Sequence, residues 1–249
     1  MSAPLSTPSP FDLEPPPKAQ AAGFWSTWED ALDIFYSPTE VFQRRRDGRY
    51  GLALIILIAV SIGVYFLSAQ VNEAIFDIEF KKSIAAQAAA GQTMSEKDLA
   101  AAKQVSEKFA SFFVFVLPIF SAIAAWVTGL VLRLLGNLMG GRFTFAQATA
   151  LGVLAGFPEV LNRAAVGVQG LVLDPSTITS KYSFAISAAR FLPDTTNSIV
   201  LKFAAIADPF VLWSAFLVGL GAYILGNMEK EKAAVLAIIY TILSSLLAR

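Results

Sequence analysis

Residues 51 to 71 read GLALIILIAVSIGVYFLSAQV, a run of 21 positions with no charged side chain. Wound as an α-helix, at about 1.5 Å per residue, the run reaches roughly 30 Å, the thickness of a bilayer's hydrocarbon core. A helix packed into a soluble domain rarely needs that length and usually keeps a polar face, which this run lacks. The stretch predicts a transmembrane helix.

Toward the C-terminus the same signal recurs at about 110 to 132, 148 to 172, 204 to 226 and 233 to 248. The last holds only about 16 apolar or small residues, so it must tilt little and rely on Lys230 and Lys232 snorkelling to the interface, or be partly shielded by neighbouring helices. The predicted fold is all-α: a polytopic transmembrane helical bundle of about five spans over residues 50 to 248. Composition agrees, since 55% of the 249 residues are hydrophobic and 15% charged, against about 25% charged in an ordinary soluble domain. Between the first two spans, residues 72 to 108 carry five lysines and six acids. The Ala-rich part of this segment, 80 to 108, should be helical, with Ser95 and Asp98 forming a capping box, and should make a periplasmic arm. Residues 175 to 202 mix hydroxyls with Tyr182, Phe184, Ile186 and Phe191, which predicts an interfacial helix near 180 to 191.

Toward the N-terminus, residues 22 to 49 predict an amphipathic segment. Phe24, Trp28, Leu32 and Phe35 or Tyr36 recur at helical spacing, with Glu29, Asp30 and Asp33 on another face. An acidic face is poorly suited to anionic lipid, so contact with the protein's own bundle is the better reading. Ser37-Pro38 ends this helix, and Pro38 can open a second one reaching Phe42 and the basic cluster Arg44, Arg45, Arg46 and Arg49. That cluster, just before the first span, predicts a cytoplasmic N-terminus and, with five spans, a periplasmic C-terminus in the inner cell membrane. Residues 1 to 21 carry Asp12, Glu14 and Pro15-Pro16-Pro17 where a signal peptide would have its apolar core, and read as a disordered Pro-rich tail.

The chain has no cysteine and no histidine, which removes disulfides, thiolate metal sites and the usual general base near neutral pH. Its nineteen basic and nineteen acidic residues cancel, so no global field points to nucleic acid. No nucleophile elbow, zinc-protease helix or paired membrane aspartates appear. The sequence predicts no enzyme, no catalytic residues, no metal and no cofactor. The expected partners are membrane lipids, with membrane proteins or further copies of the chain beside them.

Glu159 and Arg163 stand four residues apart inside the uncharged stretch from Phe143 to Leu173, and so share one helix face. The default reading is a structural salt bridge; the alternative is a site for an ion, proton or lipid headgroup. Pro158, just before the pair, predicts a kink or break, as do Pro118 in the second span and Pro209, beside Asp208, early in the fourth. Gly152 and Gly156 offer a smooth ridge for helix packing. Gly136, Gly140 and Gly141 mark the end of the second span.

Three elements in order resemble a bacterial member of the Yip (Ypt-interacting protein) family, from about Trp25 to Leu246. They are FYSPTEVF before the first span, LRLLGNLMGGRFTFAQATALGVLAGFPEVL from the second into the third, and DPFVLWSAFLVGLG in the fourth. Ser37, Pro38, Val41 and Phe42 carry the first. Gly140, Gly141, Phe143, Phe145, Gln147, Ala148 and Pro158 carry the second, and Asp208, Phe210 and Trp213 the third. The resemblance implies a five-span membrane domain. Eukaryotic relatives are implicated in vesicle traffic through small GTPases, with an Asp-Leu-Tyr-Gly-Pro motif near the first span. The nearest stretch here, Ile34-Phe35-Tyr36-Ser37-Pro38, lacks that motif, so GTPase binding is not carried over. The functional expectation is a non-enzymatic protein that organises or scaffolds the membrane or its partners. The alternative is a transporter or channel for a small solute, ion or lipid, using a polar site near Glu159 and Arg163.

Overall fold

The computed structural model describes residues 24–91, 95–174, 178, 180–193 and 195–248, and every regular element among the described residues is a helix. The tail expected at 1 to 21 lies outside the described residues. The chain opens with α1 (Phe24–Asp33) and α2 (Pro38–Arg44), the latter started by Pro38 in its first turn. Ile34, Val41 and Phe42 have no exposed surface. They close the corner between these two helices and dock it on the bundle, α1 against α3 (Gly51–Leu67) and α2 against α9 (Pro209–Leu225).

The expected first span, 51 to 71, stops at Leu67, where the chain bends by 69° into α4 (Ala69–Ala89). The corner is held by α7 (Phe157–Val172). Ser68 Oγ donates to the carbonyl of Arg163 at 3.3 Å, and a Cβ on Gly167 would stand 2.6 Å from that hydroxyl. Only a bare backbone at 167 admits the bend.

The long helix α5 (Glu96–Leu138) has 43 residues. Ser95 caps it, accepting from the Asp98 amide at 3.3 Å, but the predicted box is only half made: the Asp98 carboxylate accepts from the Ser95 hydroxyl at 2.7 Å and not from the Ser95 amide. Pro118 does not break it, contrary to the sequence expectation. One proline removes one donor from a long ladder, and the turns on either side carry the helix through. The apolar stretch of α5 is Phe115–Leu138, displaced toward the C-terminus from the predicted 110 to 132 and running past Arg133. The helix ends in a Schellman turn. Gly140 adopts a φ of 90°, its amide donates to the Asn137 carbonyl, and the Gly141 amide reaches back to the Gly136 carbonyl at 2.8 Å.

The third predicted span is two helices, α6 (Phe145–Leu154) and α7, interrupted at Ala155–Gly156 with Pro158 in the first turn of α7. Thr144 and Gln147 form a capping box at the start of α6, and the Gln147 side chain also donates to the Arg46 carbonyl at 2.8 Å. No α-helix forms at 180 to 191. Ser183 Oγ accepts from the Ser180 amide and Ser180 Oγ from the Tyr182 amide, local bonds that compete with a helix. A short 3-10 turn follows at Ala188–Phe191. Then come α8 (Ser198–Ala204), a bend of 67°, α9 and α10 (Lys230–Ala248). Pro209 therefore opens α9, and the helix expected from 204 begins five residues later.

Two helical stretches among the described residues, Phe115–Leu138 and Phe145–Val172, are long and apolar enough to cross a membrane, or up to four if each bent pair, α3 with α4 and α8 with α9, is one span. The first is exposed along most of its length: Phe115 is 78% exposed and Phe120 57%. An apolar helix surface that size is stable only where the surroundings are themselves apolar. Inward, α5 and α6 approach so closely that a Cβ on Gly129 would stand 2.9 Å from the Thr149 Cα. Gly152 and Gly156 do not share one partner. A Cβ on Gly152 would meet Thr128 of α5 at 2.5 Å, and one on Gly156 would meet Leu57 of α3 at 3.4 Å.

Candidate functional site

Where α3, α5 and α7 diverge around the Ser68 corner, they leave a cavity of about 540 Å³, closed on another side by residues 181 to 187 and by the turn before α9. Each wall supplies polar groups for a local reason. The last turns of α3 and the start of α4 bring Ser61, Tyr65, Ser68 and Asn72, and α5 brings Ser121. Glu159 and Arg163 fall on the cavity side of α7 because they are one turn apart. Asp208 enters from the mouth of α9.

The predicted pair is present, but loosely. Arg163 Nε lies 3.8 Å from Glu159 Oε1, with the two side chains 65% and 37% exposed. Asp208, by contrast, is 2% exposed and fully engaged. Its Oδ1 accepts from the amides of Phe210 and Val211 at 2.8 and 3.3 Å, which makes it the N-cap of α9. Its Oδ2 accepts from Asn162 Nδ2 at 3.0 Å. The structure thus brings Glu159, Arg163 and Asp208 to one cavity, while the hydrogen-bond partner of Asp208 is Asn162. Sequence reasoning missed Asn162, although an amide in an apolar helix next to a charged residue is a usable signal. It also missed Lys181 and Ser187, which line the same space. The Ser187 Oγ is buried without a hydrogen-bond partner among the described residues.

The cavity walls thus hold two carboxylates and two cations, with hydroxyls and amides between them. Among the described residues no group of three or more metal-ligating side chains forms. The arrangement can hold a polar or zwitterionic group by charge and hydrogen bonding.

A second polar cluster lies at the other end of the bundle. Asp30, 1% exposed, receives Arg44 Nε at 2.9 Å and Arg45 Nε at 2.5 Å, and Arg44 also reaches Asp33 at 2.6 Å. Partial burial pulls the Arg44 guanidinium down, but the hydrogen bonds and charges of Asp33 and Asp30 outweigh it and hold the group above its ordinary value. The acidic face of α1 and the basic cluster of α2 are one structure: a clamp that folds the two helices together. Its position beside the predicted first span had suggested only a topology signal.

Searches of curated proteins and of solved structures return no match. A family model described as the Yip1 domain matches residues 32–248, which takes in α2 to α10, the cavity and the late Asp-x-Phe-x-x-Trp pattern of α9. The chain belongs to the Yip1-domain family.

Proposed function

We propose that this protein is a non-enzymatic organiser of its bilayer, a multi-pass scaffold that holds an amphipathic wedge in one leaflet. The observation that carries the reading is the seating of α1. The Asp30 clamp and buried Ile34 fix it to the bundle end, and its outer side presents Leu32, 66% exposed, with Trp28 and Tyr36 also outside. An interfacial helix anchored this way occupies area in one leaflet without matching area in the other. The proposed topology has five spans, with α10 as the last, in the inner cell membrane. The N-terminus and the clamp are cytoplasmic, the C-terminus and the α4–α5 arm periplasmic. The arginine cluster at 44 to 49 supports this orientation.

The test is reconstitution of the full chain into liposomes at increasing protein-to-lipid ratio, with vesicle shape followed by electron microscopy. Wild type should narrow or tubulate vesicles. Leu32→Asp with Tyr36→Asp should insert equally well and leave them round. Equal deformation by both proteins overturns the wedge. The cavity at Glu159 and Arg163 favours a second reading, passage of a small solute, ion or lipid. Tracer flux in the same liposomes, abolished by changing both residues, would support it.

A further inference from the structure

We propose that the cavity between α3, α5 and α7 is a binding site for a zwitterionic phosphate–ammonium group, the chemistry shared by the phosphatidylethanolamine headgroup and free phosphoethanolamine. This goes beyond the wedge reading and does not depend on α1. Four observations converge on it. The charges lining the space are balanced, Glu159 and Asp208 against Arg163 and Lys181, which suits a dipolar guest better than a lone ion. They are also sorted by depth. Asp208 and Asn162 are nearly inaccessible, at 2% and 7% exposed, whereas the Arg163 side chain is 65% exposed at the mouth. An ammonium pointing inward and a phosphate at the mouth match that order.

Third, Arg163 meets Glu159 only at 3.8 Å, beyond hydrogen-bond range, and its guanidinium makes no hydrogen bond among the described residues. A planar fork with donors to spare is the side chain best suited to phosphate oxygens. Fourth, Ser187 Oγ is buried without a hydrogen-bond partner among the described residues, a condition native structures rarely leave uncompensated. A hydroxyl in the buried wall of a polar cavity can accept a hydrogen bond from a bound ammonium, in keeping with that depth order. The volume, about 540 Å³, lies within the roughly 300 to 1,000 Å³ of ordinary ligand sites. Val64 and Leu117 line the same space and give an attached glycerol and its first methylenes an apolar surface.

The experiment uses the full chain in detergent and reads thermal unfolding during titration with short-chain phosphatidylethanolamine, phosphatidylcholine, phosphatidylglycerol and free phosphoethanolamine. The ethanolamine lipid should raise Tm at concentrations about tenfold below the other two lipids. The choline head has no N–H to donate to Glu159 or Ser187, and the glycerol head has no cation. Arg163→Gln and Ser187→Ala should each weaken the response by about tenfold, while Ser187→Ala leaves the ligand-free Tm unchanged or higher. Arg133→Gln, outside the cavity, should leave the response intact. A shift with phosphoethanolamine alone identifies a soluble guest, and a shift only with the intact lipid identifies a membrane one. An equal response to all three lipids, or an undiminished response in Ser187→Ala, overturns the assignment, and Ser187→Ala decides the matter even if Arg163→Gln fails to fold.

Discussion

A carboxylate as buried as Asp30, 1% exposed, survives folding because two guanidiniums reach it, and one of them, Arg45, is itself 4% exposed. Removing the acid takes from the buried Arg45 its short ion pair and from Arg44 one of its two carboxylates. Asp30→Ala should therefore cost about 3 to 5 kcal/mol in reversible unfolding. The Glu159–Arg163 pair is different in kind. At 3.8 Å, with both side chains partly exposed, a double-mutant cycle with glutamine at each position should return a coupling below about 1 kcal/mol. Asp208→Ala removes a helix cap and orphans Asn162, and should cost about 2 to 3 kcal/mol. The sequence displayed all of these charges, and the i, i+4 spacing displayed the Glu159–Arg163 pair, but not the pairing of Asp30 with Arg44 and Arg45 or of Asp208 with Asn162. The acidic face of α1 and the arginines of α2 each stood out, yet an arginine is read as exposed by default, so nothing local marked Arg45 as interior. Asp208-Pro209 was legible in a different sense: an acid followed by proline is the start of a helix as much as a break in one.

At the scale of elements, apolar runs locate helices and say little about where they bend. Residues 51 to 71 carry no charge, and the corner at Ser68 is set by a partner about a hundred positions away, the Arg163 carbonyl and the bare backbone of Gly167. Proline was the wrong marker in α5, because a ladder that long tolerates one lost donor, and the right one at Pro158, where the chain was already interrupted at Gly156. Glycine was informative only through its neighbours. Gly129 attracted no notice in the sequence, yet a Cβ there would stand 2.9 Å from backbone on α6, which cannot retreat as a side chain can. Gly129→Ala should destabilise the bundle by about 1 to 3 kcal/mol, measured by denaturant unfolding in detergent. Gly63→Ala, where nothing stands within 4 Å, is the matched control and should be neutral or slightly stabilising.

For the whole molecule, the exposed apolar band on α5 predicts that the protein stays with membranes through an alkaline carbonate wash, and release of most of it would contradict integral insertion. Orientation is the part of the fold least written in the sequence. Two of the four arginines that argue for a cytoplasmic N-terminus are committed to Asp30 and Asp33, so their charge does double duty. Because the chain has no cysteine, single cysteines at Gln43 and Ala89 can decide. In the proposed topology an impermeant periplasmic reagent labels Ala89→Cys and spares Gln43→Cys.

The uninterrupted α5 has a mechanical side. Of its 43 residues, the 24 from Phe115 to Leu138 form the apolar stretch, and the remainder, at about 1.5 Å per residue, makes a stiff rod of roughly 28 Å beyond it. The Lys103 ammonium, 3.5 Å from Asp77, ties that rod sideways to α4. A rigid pointer of that length converts a tilt of about 10° at the packed seam with α6 into a sweep of roughly 5 Å at its tip. The arm is therefore a lever, and small rearrangements inside the bundle are readable as large displacements outside it.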